Sequence, residues 1–247
     1  MDDGRDGKVG DEIKRRDDME LTMFERLLQL PLFQGMTTQE VSDVISHVRL
    51  DFANYHRGDE IVMQGESCRK LIYIISGEVM AEHRNASLQF LLTEHLPDLK
   101  VIEPFNLFGM YQTYSRTYTF NTAGCTLAID KRVLLSHLMA SNIVKINFMN
   151  IVCNKYQQTE RLLCHFPDDT VQHKIVRFVL SHSISPKGRK DVQIKMTQLA
   201  DILHETRLNV SIALNQMQEQ GTIRLQRGSF IVNDIQELSF LNTQRTT

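Results

Sequence analysis

Short runs rich in β-branched and aromatic residues, separated by turns that contain glycine, fill residues 55–79 of the chain. The pattern weakens over residues 86–100 and resumes over residues 101–129. Short strands joined by regular turns are typical of a compact barrel or roll. The sequence therefore predicts one β domain of roughly 110 residues, flanked by short amphipathic helices.

A second feature is the stretch of residues 143–166, which contains neither glycine nor proline. Apolar residues recur along it at alternating spacings of three and four, as in a coiled coil. These residues are Ile146, Met149, Cys153, Tyr156 and Leu163, with the polar Glu160 in the same seam. We expect the seam to form a dimer interface; the alternative is that it packs on the β domain of its own chain. Pro167 ends the stretch, and we expect a hinge near it.

Two short amphipathic helices follow each other between residues 197 and 221. Their apolar faces consist of Leu199, Ala200 and Leu203 in the first helix and Val210, Ala213, Leu214 and Met217 in the second. Thr197 and Thr206 stand where N-caps are expected. The small Ala200 allows the second helix to approach closely, so the segment predicts a helix-turn-helix. The turn has His204 where a glycine would be more usual.

The second helix leaves polar and apolar side chains available for base contacts, because the N-terminal residues of a recognition helix face base edges. Arginine can bind guanine and asparagine can bind adenine through two hydrogen bonds. After Gly221, two short strands resemble a wing whose arginines reach phosphates. The predicted contacts to double-stranded DNA are Thr197, Thr206, Arg207, Leu208, Asn209, Ser211, Ile212, Arg224 and Arg227. The alternative is a ligand-binding regulatory module without DNA activity, in which these elements only pack together.

Composition limits the remaining classes of protein. The 247 residues suffice for two modest domains, and the net charge is −2. From residue 168 onward, ten Lys and Arg stand against eight Asp and Glu, which permits DNA binding without requiring it. No apolar run reaches the roughly 18 residues that span a bilayer, and the four cysteines form no C-x-x-C pair. We therefore expect a cytoplasmic protein with no membrane partner, and the absence of common catalytic signatures predicts that it is not an enzyme.

In this order, the elements resemble the family of the cyclic-AMP receptor protein and the fumarate-nitrate regulator (CRP/FNR). The resemblance covers about residues 24–235 and is carried by Arg57-Gly58-Asp59, Gln64-Gly65-Glu66, Ser76-Gly77-Glu78-Val79, the long helix, and the segment from Leu199-Ala200-Asp201 to Gly221. It implies an α+β fold: an effector-sensing β-roll (a double-stranded β-helix, cupin-like), a long dimerisation helix and a C-terminal winged helix-turn-helix. It also implies a bacterial homodimer that binds a near-palindromic operator and contacts RNA polymerase.

The resulting division of the chain has four parts. We expect a disordered charged tail at residues 1–20, the effector roll with its flanking helices at 21–130, dimerisation helices at 131–166, and the winged helix-turn-helix domain at 167–247. The tail contains no cysteine cluster of the kind that holds the iron-sulfur centre of the family's oxygen sensors.

The predicted effector pocket departs from the family pattern. Its residues are Phe108, Gly109, Met110, Arg116 and Thr117. Relatives that bind cyclic nucleotides carry Phe-Gly-Glu, whose Glu bonds the ribose, and Met110 cannot accept that bond. We therefore expect an unidentified small-molecule effector other than a cyclic nucleotide, or no effector at all. A haem-based gas or redox sensor stays open as the alternative, because nine His, eleven Met and four Cys could supply axial ligands.

The predicted recognition helix departs from the family pattern as well. Relatives commonly read Arg-Glu-Thr-Val-Ser-Arg, whereas this chain has Leu208 and Ile212 at the acidic and second basic positions. We expect the operator to differ from the familiar consensus.

Overall fold

The structure is a computed structural model, and it describes residues 25–46, 48–96, 99–164 and 170–235. The predicted charged tail, the hinge at Pro167 and the side chain of Leu163 lie outside the described residues. The helices are α1 (Thr38–Ile45), α2 (Lys131–Ser136), α3 (Asn142–Cys164), α4 (Val171–Ser181), α5 (Met196–Leu203) and α6 (Arg207–Glu219). The strands are β1 (Asp51–Tyr55), β2 (Glu60–Val62), β3 (Lys70–Ser76), β4 (Val79–Asn85), β5 (Phe90–Leu96), β6 (Lys100–Ile102), β7 (Thr117–Phe120), β8 (Gly124–Asp130), β9 (Lys190–Gln193), β10 (Ile223–Gln226) and β11 (Ser229–Val232). Single 3₁₀ turns occur at Pro31–Phe33, Pro104–Asn106 and Leu138–Ala140.

The N-terminal roll consists of two facing layers of antiparallel strands. One is a four-stranded sheet in the order β1-β8-β3-β6, and the other contains β5, β4, β7 and β2. Tyr73 and Phe120 are among the largest buried side chains of the core between them. The turn after β3 needs Gly77, since its φ is +91° and an added Cβ would lie 2.8 Å from the carbonyl oxygen of Ala123.

The second sheet continues beyond the roll into the C-terminal part of the chain. Its order is β10-β11-β9-β5-β4-β7-β2, and β5 pairs with β9 in antiparallel register from Leu91↔Gln193 to Glu94↔Lys190. Phe90 and Leu92 of β5 belong to the apolar core of the C-terminal domain. One hairpin of the roll therefore completes the core of the domain beside it.

Buried charges lie at this junction. Glu94 is buried with Lys190 opposite, and its Oε1 lies 3.7 Å from the Lys190 Nζ. Its Oε2 also accepts a 2.6 Å bond from the backbone N–H of Ile184. Burial lowers the pKa of the Lys190 ammonium, although the nearby Glu94 opposes that effect. Removing one partner of such a pair leaves a buried charge uncompensated, so the pair favours the docked arrangement.

The long helix α3 presents two different faces. Val144 and Phe148 are buried on the roll, where Phe148 meets Phe108 edge to face with ring centroids 5.6 Å apart. Asn147 on the same side donates to the backbone carbonyls of Leu32 and Gln34. The other face carries the predicted seam, and its described apolar residues belong to neither core.

These observations confirm the predicted α+β class with a β-roll, a long helix and a C-terminal winged helix-turn-helix. Among the described residues, no helix is both long and apolar enough to cross a membrane.

Candidate nucleic-acid interface

The first helix of the predicted pair, α5, begins earlier than the sequence suggests. Its N-cap is Lys195, whose backbone N–H donates to the Gln198 side chain at 3.3 Å. The prediction that Thr197 caps this helix is therefore wrong: Thr197 lies in the first turn and is exposed. The physical reason is that Gln198 satisfies an N-terminal amide from inside the helix, so the cap needs no hydroxyl.

The turn between α5 and α6 forms without glycine. His204 adopts the left-handed conformation (φ 53°, ψ 44°) that ends α5. The backbone N–H of Glu205 then bonds the carbonyl of Ala200 at 2.9 Å. Thr206 caps α6 as predicted, since its hydroxyl accepts from the backbone N–H of Asn209 at 3.1 Å.

The inward faces of the two helices agree with the sequence pattern. All the residues predicted to face inward are buried: Leu199, Ala200, Leu203, Val210, Ala213, Leu214 and Met217. They share one core with α4 and with Phe90 and Leu92 of β5. Because its inner face is fixed by packing and its start by a cap, α6 presents its outer face in a defined orientation.

That outer face is open to solvent at its N-terminal end. Arg207 and Asn209 are exposed, Leu208 is 68% exposed and Ile212 47% exposed, whereas Ser211 is half-buried. Four of the five predicted base-contacting side chains therefore stand free of the core, and Ser211 is partly covered.

Asn209 is held from the turn before the helix. Its Nδ2 donates to Glu205 Oε2 at 3.2 Å, and Glu205 Oε1 accepts a 2.8 Å bond from Lys174 Nζ on α4. The bonds from Lys174 and Asn209 lower the pKa of the Glu205 carboxyl. Glu205 and Lys174 were not among the predicted site residues; the signal that indicates Glu205 is its spacing of four residues before Asn209.

The wing has the predicted form and one additional strand. β10 and β11 pair around Arg227 and Gly228, and the φ of Gly228 is +75°. Arg224 and Arg227 are exposed. β9, which the sequence analysis did not identify, pairs with β11 on the other side and joins the wing to the roll.

The five residues predicted to line an effector pocket have different surroundings. Met110 is 91% exposed. Phe108 packs on Phe148, while Arg116 is buried at the junction and donates to the backbone carbonyl of His182 at 2.8 Å. Gly109 borders open space, and the hydroxyl of Thr117 accepts from the backbone N–H of Gln64.

A buried carboxylate lies beside Arg116. Glu103 is only 3% exposed and lies 3.7 Å from the Arg116 guanidinium. Glu103 was not among the predicted site residues; its signal in the sequence is a lone carboxylate between the apolar Val101-Ile102 and Pro104.

The seam on α3 is accessible along its described length. Ile146 is 53% exposed, Met149 55% and Tyr156 69%, and Cys153 and Glu160 are exposed as well. The alternative that this stripe packs on the β domain of its own chain therefore does not hold in this structure. No group of three His, Cys, Asp or Glu side chains that could hold a metal ion occurs within the described ranges.

Comparisons with known proteins agree with this arrangement. Residues 173–241 match the family model of the Crp-like helix-turn-helix domain. The catabolite activator protein of Thermus thermophilus is 20% identical, with a TM-score of 0.50, over 87% of this chain and 99% of that one. DNR from Pseudomonas aeruginosa is 16% identical (TM-score 0.42, 87% and 96% covered), and FixK2 from Bradyrhizobium japonicum is 14% identical (TM-score 0.43, 78% and 98% covered). A comparison with curated protein sequences gives no match.

The roll, the long helix and the capped helix pair with its wing together form a cyclic-nucleotide-binding-like roll joined to a winged helix-turn-helix domain. Residues 173–241 belong to the Crp-like helix-turn-helix domains, and the whole fold is similar to that of the catabolite activator protein of Thermus thermophilus. The predicted resemblance to the CRP/FNR family is confirmed.

Proposed function

We propose that the protein is a homodimeric transcription regulator that binds a near-palindromic operator through α6, under the control of an effector other than a cyclic nucleotide. The observation that carries this proposal is the N-terminal end of α6, which is exposed, capped by Thr206 and held in place by a buried inner face. A helix presented in this way can enter the major groove of DNA.

Dimer formation is supported by the two faces of α3. The face with Val144 and Phe148 is buried on the roll, whereas the face with Ile146, Met149 and Tyr156 is exposed. An apolar stripe at coiled-coil spacing is costly to leave in water and is covered when two copies pair. A two-fold dimer would present two copies of α6 to successive major grooves.

The dimer is tested with Tyr156→Glu in full-length protein, measured by sedimentation velocity. We expect dimerisation to weaken about tenfold to a hundredfold, because a charge replaces an aromatic side chain inside the interface. The control is Gln157→Glu, which places the same charge on the next exposed residue. Equal dimerisation of both variants and the wild type would show that the seam is not the interface.

The composition of the outer face supports a specific mode of DNA reading. Arg207 can bind guanine through two bonds, and the Asn209 amide, oriented by Glu205, can bind adenine. Leu208 and Ile212 suit the methyl groups of thymine. Arg227 at the turn of the wing contributes a phosphate contact, which positions the protein without reading sequence.

The DNA-binding proposal is tested with an operator selected from random DNA, using fluorescence anisotropy at several salt concentrations. Arg207→Ala should cost about 1 to 3 kcal/mol of binding free energy and relax the base preference at one position of each half-site. Arg227→Ala should weaken binding to all sequences and reduce the salt slope by about 1.

The control for both variants is Arg132→Ala, because Arg132 is exposed on α2, far along the chain from the helix pair. We expect its affinity to equal that of the wild type. Loss of equal size in Arg132→Ala and Arg207→Ala, or binding that is independent of salt, would contradict the assignment of α6.

The proposal that the effector is not a cyclic nucleotide is supported by the bonds of Arg116. An arginine that binds a cyclic phosphate must offer its guanidinium to the ligand, but here one Nη bonds Ser115 and the other bonds the carbonyl of His182. The carboxylate of Glu103 lies beside them. Isothermal titration with cyclic AMP should therefore give no heat of binding, and a saturable signal at micromolar concentration would overturn this part of the proposal.

A further inference from the structure

We propose that Glu103 acts as a built-in anionic ligand: its carboxylate fills an oxyanion site in the roll and, through Arg116, holds the DNA-binding domain against the roll. The oxyanion site consists of Asn106, Ser115, Arg116 and Tyr118. The link between this site and DNA binding rests on the proposed function, whereas the occupation of the site by the Glu103 carboxylate does not.

The geometry of the site is that of an anion held by a complete set of donors. Glu103 Oε2 accepts from the backbone N–H of Ser115 at 2.7 Å and from Asn106 Nδ2 at 2.6 Å. Oε1 accepts from the Ser115 hydroxyl at 2.8 Å and the Tyr118 hydroxyl at 3.0 Å. The Arg116 guanidinium lies 3.7 Å from Oε1. A carboxylate has about four lone-pair sites, and all of them have partners here.

These donors are the groups that bind a free carboxylate or phosphate in proteins: a main-chain N–H, hydroxyls, an amide and a guanidinium. Glu103 and Arg116 are buried, and so is Tyr118. Burial and the neighbouring Glu103 raise the pKa of Tyr118 well above its ordinary value, so its hydroxyl remains a donor. The site is built to hold one negative charge out of contact with water.

The backbone of Glu103 is strained, and this strained conformation places the carboxylate in the oxyanion site. Glu103 has φ 37° and ψ 55°, in the left-handed region that residues with a Cβ rarely adopt. Strain of this kind persists only where the surroundings fix it, and here the four hydrogen bonds to the side chain do so. A glycine would adopt the same backbone without strain but would leave the oxyanion site without its charge.

Arg116 connects the site to the C-terminal domain. Its Nη1 bonds Ser115, and its Nη2 bonds the carbonyl of His182, which is the residue that ends α4. Its Nε has no partner among the described residues, so the guanidinium depends on these bonds and on Glu103 for its orientation. Lys155 of α3 bonds the carbonyl of Ile184 close by, and the positive charge of Arg116 helps to lower the pKa of Lys155, after burial itself. Loss of the Glu103 charge would leave the buried Arg116 guanidinium near the half-buried Lys155 ammonium, with Glu94 as the carboxylate that remains near Lys155.

The test uses full-length E103G, because glycine suits the backbone at this position and opens the site. The probe is sodium formate, with sodium chloride at equal ionic strength as the control. We expect E103G to melt below the wild type and formate to raise its Tm in a saturable way. At about ten times the formate Kd, the rise should be about 3 to 6 °C. The wild type should not respond to formate beyond its response to chloride. A matched control is Glu78→Gly, which removes a half-exposed carboxylate that lies outside the site and bonds His95 and Asn121.

Two results would overturn the proposal: a formate effect of equal size in the wild type and E103G, or no formate effect in E103G. Should E103G not fold, E103Q keeps the shape of the side chain without its charge. Hydrogen exchange at residues 183–185 of E103Q should then be at least tenfold faster than in the wild type, and unchanged exchange would contradict the coupling through Arg116.

Operator binding by the same proteins separates the two proposals. If wild-type protein binds no DNA but E103G responds to formate, the proposed function fails and the built-in ligand stands. If wild-type protein binds its operator but E103G shows no formate effect, the built-in ligand fails and the proposed function stands.

Discussion

Phe90 offers a direct test of whether the roll and the DNA-binding domain form one packed unit, because it belongs to β5 of the roll yet packs in the core of the C-terminal domain. Its ring meets Phe178 edge to face at 5.2 Å and His182 at 4.7 Å. It is buried, so Phe90→Ala should cost about 3 to 5 kcal/mol of unfolding free energy, the usual cost of truncating a core phenylalanine. The aromatic contact with Phe178 should account for about 0.5 to 1.5 kcal/mol of this as a coupling energy in a double-mutant cycle.

The assay is urea unfolding of the full chain followed by circular dichroism, together with hydrogen exchange at the backbone amides of β9. Phe90→Ala should lower the unfolding midpoint and accelerate exchange in β9, since β5 and β9 share a ladder. Leu88→Ala in the same hairpin is the control, because Leu88 is exposed and its truncation should change stability by less than about 0.5 kcal/mol. Unchanged exchange in β9, or zero coupling between Phe90 and Phe178, would refute the docked arrangement.

Three further predictions concern local stability and pH. Thr206→Ala should lower the unfolding free energy by about 1 kcal/mol in urea titrations through the loss of the α6 cap, and Thr206→Ser should restore it; equal stability of both would contradict the cap. Gly221→Ala should cost about 1 to 2 kcal/mol in the same titrations, because the φ there is +73° although no atom lies within 4 Å of an added Cβ; a neutral result would remove the strain argument. Burial, with the charge of Arg116, lowers the pKa of both His83 and His182, although the bonds of their rings to the backbone carbonyls of Ser115 and Phe178 oppose this effect. The unfolded state therefore takes up more protons than the folded state. The stability contributed by these neutral rings is complete above the ordinary histidine pKa of about 6.5 and is lost as the pH falls below it. His182→Gln should therefore reduce the change of the urea unfolding midpoint between pH 7 and pH 5, and an unchanged pH dependence would contradict the assignment.

The helix pair could be predicted in detail because its signals are local. Buried residues recur at helical spacing from Leu199 to Met217, and Thr206 supplies a cap three residues before the amide that it bonds. The prediction that Thr197 caps α5 was wrong for an equally local reason. More than one side chain can satisfy the first amides of a helix, and here Gln198 does so. The seam on α3 was predictable in the same way, since its spacing is a property of one helix.

The junction could not be predicted, because it depends on contacts between residues far apart in the chain. β5 lacks the alternation of a half-exposed strand: Phe90 and Leu92 enter one core, and Leu96 packs in the other. A search for alternating apolar and polar residues therefore does not identify β5 as a strand. Glu103 and Arg116 are thirteen residues apart, and although the apolar neighbours of Glu103 hint at its burial, the local sequence does not show that the two side chains lie together. Buried polar groups acquire their partners only from the tertiary fold.

The central claim, that a two-fold pair of α6 helices reads an operator, is tested most directly by selecting binding sites for the full-length dimer from a random DNA pool. The proposal predicts an inverted repeat whose half-sites are centred about one helical turn, or about 34 Å, apart, with a conserved guanine in each half that Arg207→Ala no longer selects. A selected sequence without inverted symmetry, or a guanine preference that persists in Arg207→Ala, would contradict it.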